Sequence, residues 1–149
     1  MRKCTLLAIV SLSVAAATVN RPDFNGTWQL DSAHSQGVEA KTKADTITIR
    51  QTEDDVTLNE VITETDGKER KLDLQCKTDG DECKVKQGTV SVWYDGDTLV
   101  VMEVRRANAI VVKRRFKLSE DGKTLAVEVN PIAPPGQKPG NLTFVKQAR

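Results

Sequence analysis

Three charged residues interrupt segments in which apolar and polar side chains otherwise alternate. Each shares its phase with apolar residues two or four positions away, in the sets Val56, Leu58, Glu60 and Ile62; Leu99, Val101 and Glu103; and Ile110, Val112, Arg114, Phe116 and Leu118. Residues two apart lie on the same face of a strand, so Glu60, Glu103 and Arg114 are predicted to point into the protein interior. A buried charge is costly unless it is paired. The three therefore form either a buried ion-pair network or the polar part of a ligand cavity, with Arg114 as the anchor.

The opposite assignment of these faces remains an alternative, and it is weaker for Arg114 than for the glutamates. If Val100, Met102 and Val104 formed the inner face of their strand, Glu103 would point to water. The alternate face around Arg114 carries Lys113, Arg115 and Lys117. Arg114 is therefore the best supported of the three candidate ligand-binding residues.

The sequence offers no arrangement of residues typical of catalysis. His34 is the only histidine, and although Ser32 and Ser35 flank it, residues so close in a loop do not make a triad. Glycine-rich phosphate loops and zinc-protease motifs are absent, and the acidic stretches lack the spacing of an EF-hand. We expect a protein that is not an enzyme and that uses no cofactor or metal.

The N-terminus has the organisation of a secretory signal peptide. The basic residues Arg2 and Lys3 precede an apolar run at 6–14, which ends in Ala15, Ala16 and Ala17. This run is shorter than the roughly 20 residues that a membrane-spanning helix needs. We therefore expect removal of residues 1–17, and a mature protein that is secreted or periplasmic and not inserted in a membrane.

Residues 18–149 are predicted to form a single domain. Loss of Arg2 and Lys3 leaves 20 basic against 21 acidic residues, and the two signs alternate along the chain. No basic block is present of the kind that binds nucleic acid. Two sequons, at Asn25 and Asn141, would matter only in a eukaryotic secretory pathway.

Short β-branched runs separated by turn residues predict an all-β fold with little or no helix after the signal peptide. Nine strands are expected, near 24–30, 46–52, 56–64, 70–76, 83–94 with a bulge at Gly88, 98–104, 110–118, 123–129 and 142–146. Asp-Gly pairs at Asp66, Asp79, Asp95 and Asp121 mark tight hairpin turns. The chain is predicted to be an antiparallel up-and-down meander closing into a barrel of about 8–10 strands, although an odd count conflicts with simple closure.

Two cysteines remain after export, and an oxidising compartment would let them form a bridge. Cys76 and Cys83 flank the turn-like Asp79-Gly80. If that pair is the corner of a hairpin, the two cysteines lie opposite each other at bridging distance. A zinc or redox pair is the alternative, but no histidine lies nearby.

The stretch from Asp23 to Leu30 resembles the Gly-x-Trp opening strand of the lipocalins and their calycin relatives, which include fatty-acid-binding proteins and avidins. Later segments, 93–101 and 118–125, are similar to small secreted bacterial proteins described as lipocalin-like. The resemblance implies that Trp28, beside Gly26, closes one end of a barrel and packs against Lys146 from the last strand.

The same resemblance implies binding of a small apolar or amphipathic molecule inside the barrel. Other features of the relatives are missing, because Thr143-Phe144-Val145 stands where fatty-acid-binding proteins carry an Arg-x-Tyr. The 31–45 connection also has no room for their helical lid. The alternative is a barrel filled with side chains that acts as a protein or envelope interaction module.

Overall fold

The structure is a computed structural model that describes residues 21–148. The predicted signal peptide at 1–17 lies outside these residues. Ten strands follow one another along the chain: β1 (Gly26–Leu30), β2 (Thr42–Gln51), β3 (Asp55–Glu64), β4 (Glu69–Lys77), β5 (Asp79–Val85), β6 (Gly88–Asp95), β7 (Thr98–Arg105), β8 (Ile110–Leu118), β9 (Thr124–Ala133) and β10 (Gly140–Lys146). The helices of the described residues are two single 3₁₀ turns, Ser32–His34 and Arg106–Asn108. No helix in this part of the chain has the length and apolar character needed to cross a bilayer.

The strands form one antiparallel sheet that curls into a nearly closed barrel. Its order is β4-β3-β2-β1-β10-β9-β8-β7-β6-β5, so the first and last strands pair with each other. The sheet edges β4 and β5 meet without a hydrogen-bonded ladder, and the disulfide between Cys76 and Cys83 joins them. This architecture confirms the predicted all-β, up-and-down barrel.

The prediction of one long strand at 83–94 is wrong. β5 ends at Val85 and β6 begins at Gly88, with Lys86 and Gln87 as a two-residue turn. Because this turn lacks the Asp-Gly pair that marks the other predicted hairpin turns, the sequence pattern did not predict it. A side chain at Gly88 would lie only 1.9 Å from the carbonyl oxygen of Val104, so this glycine permits close approach of β7 rather than a bulge. The corrected count is ten, which removes the conflict with closure.

The expected hairpin corner at Asp79-Gly80 is also wrong. β4 ends at Lys77, and Asp79 already belongs to β5, which pairs with β6 instead of β4. Cys76 and Cys83 nevertheless form the predicted disulfide, with Cα atoms 5.8 Å apart. The bridge therefore closes the seam of the barrel instead of stapling a hairpin.

β2 and β9 each extend four residues beyond the predicted range at one end, and both extensions shape the interior. β2 begins at Thr42 rather than near residue 46, which brings Asp45 into the sheet. β9 continues to Ala133, past Pro131, whose missing N–H is accommodated beside an irregularity in the pairing with β8. The long connections shrink accordingly.

Half of the barrel interior is packed with apolar side chains. The core contains Phe24, Trp28, Ile47, Ile49, Val56, Leu58, Leu74, Cys76, Val90, Val92, Leu99, Val101, Phe116, Leu125, Val127 and Phe144, each at most 3% exposed. Inward residues occur at every second position of each strand, as the alternation of the sequence predicts. This packed half is a rigid base for the rest of the interior.

Trp28 is fully buried in this core, where its indole N–H donates a hydrogen bond to the carbonyl oxygen of Phe24 at 3.0 Å. Trp28 and Lys146 are direct partners across β1 and β10. The Lys146 ammonium lies 5.1 Å from the centre of the indole ring. A Cβ on Gly26 would meet the Lys146 side chain at 2.7 Å, so this glycine makes room for the lysine stem.

Burial of the indole contributes more stability than the cation above it. Trp28→Ala should lower the free energy of unfolding by about 3–5 kcal/mol, the usual cost of removing a large buried aromatic ring. Lys146→Ala should lower it by about 1 kcal/mol, because a partly exposed lysine over a ring contributes little. Urea denaturation of both variants measures the difference, and equal costs would contradict this assignment.

Candidate functional site

A cavity of about 490 Å³ occupies the half of the interior that the core leaves open. One part of its wall is apolar and comes mainly from β1, β3 and β8–β10, through Leu30, Ile62, Ile110, Val112, Val129, Pro131 and Leu142. The other part is charged and comes mainly from β2–β4, β7 and β8. The cavity is therefore amphipathic, with its polar groups concentrated on one side.

An ion pair across the barrel separates the packed core from the cavity. Nη1 of Arg114 on β8 donates to both carboxylate oxygens of Glu60 on β3, at 2.9 and 2.7 Å. Four strands lie between β3 and β8 in either direction around the sheet. The contact thus joins opposite walls and forms the floor of the cavity.

Two other carboxylates lie at the level of this floor. Glu103 on β7 accepts a charge-assisted hydrogen bond from Nε of Arg105 on the same strand. Asp45 on β2 has no ion-pair partner among the described residues, and its Oδ1 has no hydrogen bond there. Asp45, Glu60, Glu103 and Arg114 are only 4, 6, 4 and 8% exposed.

A second group of charges lies nearer the opening. Nε of Arg70 on β4 lies 3.0 Å from Oε1 of Glu64, and its Nη2 donates to Glu39 at 3.0 Å. The ammonium of Lys41 also lies 3.0 Å from Glu64. These contacts tie the loop before β2 to the ends of β3 and β4.

The electrostatics of the floor differ for its cation and its unpaired acid. Burial alone would lower the pKa of Arg114, but the carboxylates of Glu60, Glu103 and Asp45 outweigh it and hold the pKa above its usual value. Burial raises the pKa of Asp45 to about 7; the charge of Glu60 adds to this, while Arg114 and Arg70 act against it. Arg114 therefore stays charged, whereas Asp45 titrates near neutral pH.

The structure brings together Glu60, Glu103 and Arg114, which the alternation of the sequence predicted to face inward. Val101 and Glu103 share the inner face of β7, so the alternative with Glu103 in water does not hold. Arg114 is not a free anchor, because Glu60 already occupies one of its nitrogens. Its Nη2 is buried and has no partner among the described residues.

Sequence reasoning missed Asp45, Arg70 and Arg105. Asp45 is in phase with Ile47 and Ile49, a signal that a longer prediction for β2 would have revealed. Arg70 and Arg105 are in phase with the inward residues of β4 and β7. They lie at the ends of these strands, where the alternation of apolar and polar residues gives little guidance. His34 is exposed and contacts Asp31 at 2.7 Å, as a surface histidine does. No metal-binding cluster occurs within residues 21–148.

The raised pKa of Asp45 predicts that this residue destabilises the fold as the pH rises. The folded protein keeps the Asp45 proton up to a pKa of about 7, whereas the unfolded chain releases it near the ordinary value of 3.8. The stability that the bound proton supports is therefore complete at acid pH and is lost as the pH approaches and passes 7. Such a shift corresponds to about 4 kcal/mol.

Asp45→Asn should consequently have a higher free energy of unfolding than the wild type at pH 8, by up to about 4 kcal/mol, and a similar one at pH 4. Urea titrations across this range measure the difference. Asp73→Asn, on the exposed face of β4, is the matched control and should follow the wild-type profile. Parallel profiles for wild type and Asp45→Asn would contradict the prediction.

No family model and no curated protein sequence matches this chain. Several solved structures share its fold. Fatty-acid-binding protein 1 of Echinococcus granulosus superposes with a TM-score of 0.60 at 11% identity, over 84% of this chain and 98% of that one. The Schistosoma mansoni fatty-acid-binding protein in complex with arachidonic acid gives 0.57 at 17% identity, over 84 and 96%.

The zebrafish ileal bile-acid-binding protein complexed with cholic acid gives a TM-score of 0.58 at 17% identity, over 83% of this chain and 98% of that one. At these identities the likeness concerns the fold. The chain thus shares its barrel fold with these fatty-acid- and bile-acid-binding proteins.

Proposed function

We propose that this protein binds a small amphipathic molecule in the open half of its barrel. The observation that carries the proposal is the cavity of about 490 Å³ with one apolar and one charged wall. Ligand pockets in proteins usually have volumes of about 300 Å³ or more and combine an apolar lining with a few polar groups. The apolar part of a ligand would lie against Leu142 and Val129, and its polar end near the floor.

The structural neighbours support the same proposal. Two of them were solved with arachidonic acid and with cholic acid, both of which are amphipathic. A barrel filled with side chains, the alternative of an interaction module, would leave no such volume. The packed core below Arg114 and Glu60 fills only one half, so the cavity favours ligand binding.

The polar floor would orient the ligand rather than react with it. Within residues 21–148 its groups are carboxylates and guanidinium groups, with no activated hydroxyl or thiol among them. Cys76 and Cys83 are joined to each other and cannot act as nucleophiles. Binding without chemical conversion is therefore the activity we propose.

We also propose that the protein acts outside the cytoplasm. The N-terminal pattern at 1–17 supports export, and a disulfide is the kind of bridge that persists in oxidising compartments. The intact mass of the exported protein should correspond to a chain beginning near Thr18. A mass that still includes residues 1–17 would contradict the proposal of export.

Blocking the cavity should abolish binding. Val112 on β8 lines the cavity, whereas its neighbour Val111 lies on the other face of the same strand. Val112→Trp should eliminate the fluorescence increase of the neutral apolar dye Nile red, because the indole occupies the space of the ligand. Val111→Trp should retain it.

The same variants provide a test without a chosen probe. Native mass spectrometry of the wild type and of Val111→Trp should detect copurified small molecules that Val112→Trp lacks. Circular dichroism and the melting temperature establish that each variant is folded. Equal dye binding and equal adducts in both variants would exclude the cavity as a binding site.

A further inference from the structure

Asp45 is the one carboxylate at the cavity floor without a cationic partner among the described residues. Glu60 is paired with Arg114, and Glu103 with Arg105. Asp45 is 4% exposed and lines the cavity, yet its Oδ1 accepts no hydrogen bond from the described residues. A buried carboxylate without a partner is costly, so an acceptor held in this position favours a donor from outside the chain.

Arg70 also lines the cavity and could serve as an internal partner, but its charge is already matched. Its Nε and Nη2 lie 3.0 Å from Glu64 and Glu39, two acids that hold it toward the opening. Arg114 is similarly held by both oxygens of Glu60. The charge of Asp45 is therefore the uncompensated charge of the floor.

This balance disfavours an anionic head group. A ligand carboxylate at the floor would join Asp45, Glu60 and Glu103, while the floor cations Arg114 and Arg105 are already paired with Glu60 and Glu103. Two further cations line the cavity: Arg70, which contacts Glu64 and Glu39, and Lys138, in the loop before β10. Like charges that share a desolvated site repel strongly, whereas an opposite charge there favours both ionised groups. The free N–H of Arg114 needs only a neutral oxygen acceptor, such as a hydroxyl group or water.

We propose that the cavity selects an amphipathic amine, whose ammonium group pairs with Asp45 and whose apolar chain lies along Leu30, Val129 and Leu142. This inference rests on the proposed function and adds the chemical class of the ligand. β2, which carries Asp45, neighbours β1 with Leu30, and β10 with Leu142 follows in the sheet. The charged and apolar parts of such a ligand therefore meet continuous parts of one wall.

The test compares three ligands that share one chain and differ in head group. Decylamine, decanol and decanoate are titrated calorimetrically at pH 8, below their aggregation concentrations, where Asp45 is ionised and the amine protonated. The dissociation constant of decylamine should be at least about tenfold lower than that of decanoate, as one desolvated ion pair provides. Decanol should lie between them.

Asp45→Asn keeps the shape of the side chain and removes its charge. It should weaken decylamine binding by about tenfold or more while leaving decanol within about threefold of the wild type. The matched control Asp73→Asn should bind all three ligands as the wild type does, because Asp73 lies on the outer face of β4. Val112→Trp should bind none of them.

The outcomes separate this inference from the proposed function. If decanoate bound as tightly as decylamine and Val112→Trp bound neither, the proposed amine selectivity would be wrong. The proposal that the barrel binds a small amphipathic molecule would stand. An amine preference that survives Asp45→Asn would also overturn it. Failure of all three ligands to bind the wild type, together with unchanged Nile red fluorescence in Val112→Trp, would overturn both.

Discussion

The ion pair between Arg114 and Glu60 determines how this barrel divides its interior. Each charge would be prohibitively costly alone in an apolar core, so each requires the other at hydrogen-bond distance. Because their strands lie on opposite sides of the barrel, the pair holds the two walls at a defined separation. Apolar side chains fill the space on one side of it, and the other side stays open.

The Arg114–Glu60 pair also sets the level at which polar groups line the cavity. Glu103 and Asp45 lie at the same level as the pair, and each strand reaches this level two residues beyond its last core position. The polar floor is thus a layer of the barrel built from four different strands. A barrel of the same fold with an apolar layer here would have a longer core and a smaller cavity, so fold likeness alone does not specify the ligand.

Sequence alternation predicted much of this arrangement. It assigned the all-β class, most strands, and the inward direction of Glu60, Glu103 and Arg114, because period two is a strong signal in the middle of a strand. It failed where the signal is weak. The turn at Lys86 and Gln87 carries no glycine or proline, and the start of β2 is polar, which concealed Asp45. The pairing of Arg114 with Glu60 joins residues 54 positions apart, and a one-dimensional pattern contains no information about which inward charges meet.

The seam between β4 and β5 gives this barrel an unusual mechanical property. Every other strand boundary is a backbone ladder, but along this line the walls are joined by the chain itself at Thr78, by the bond between Cys76 and Cys83 and by side-chain packing. The two edge strands are therefore joined covalently near one end of the seam, where Thr78 and the disulfide lie. Cys76 lies in the core, and Leu72 and Val85, on the same two edges, pack against that core. They also line a second pocket that shares Glu60 and Arg70 with the cavity. Separation of β4 from β5 at Leu72 and Val85 breaks no backbone hydrogen bond. The barrel wall can therefore widen at this level, while the end that carries the disulfide keeps its diameter.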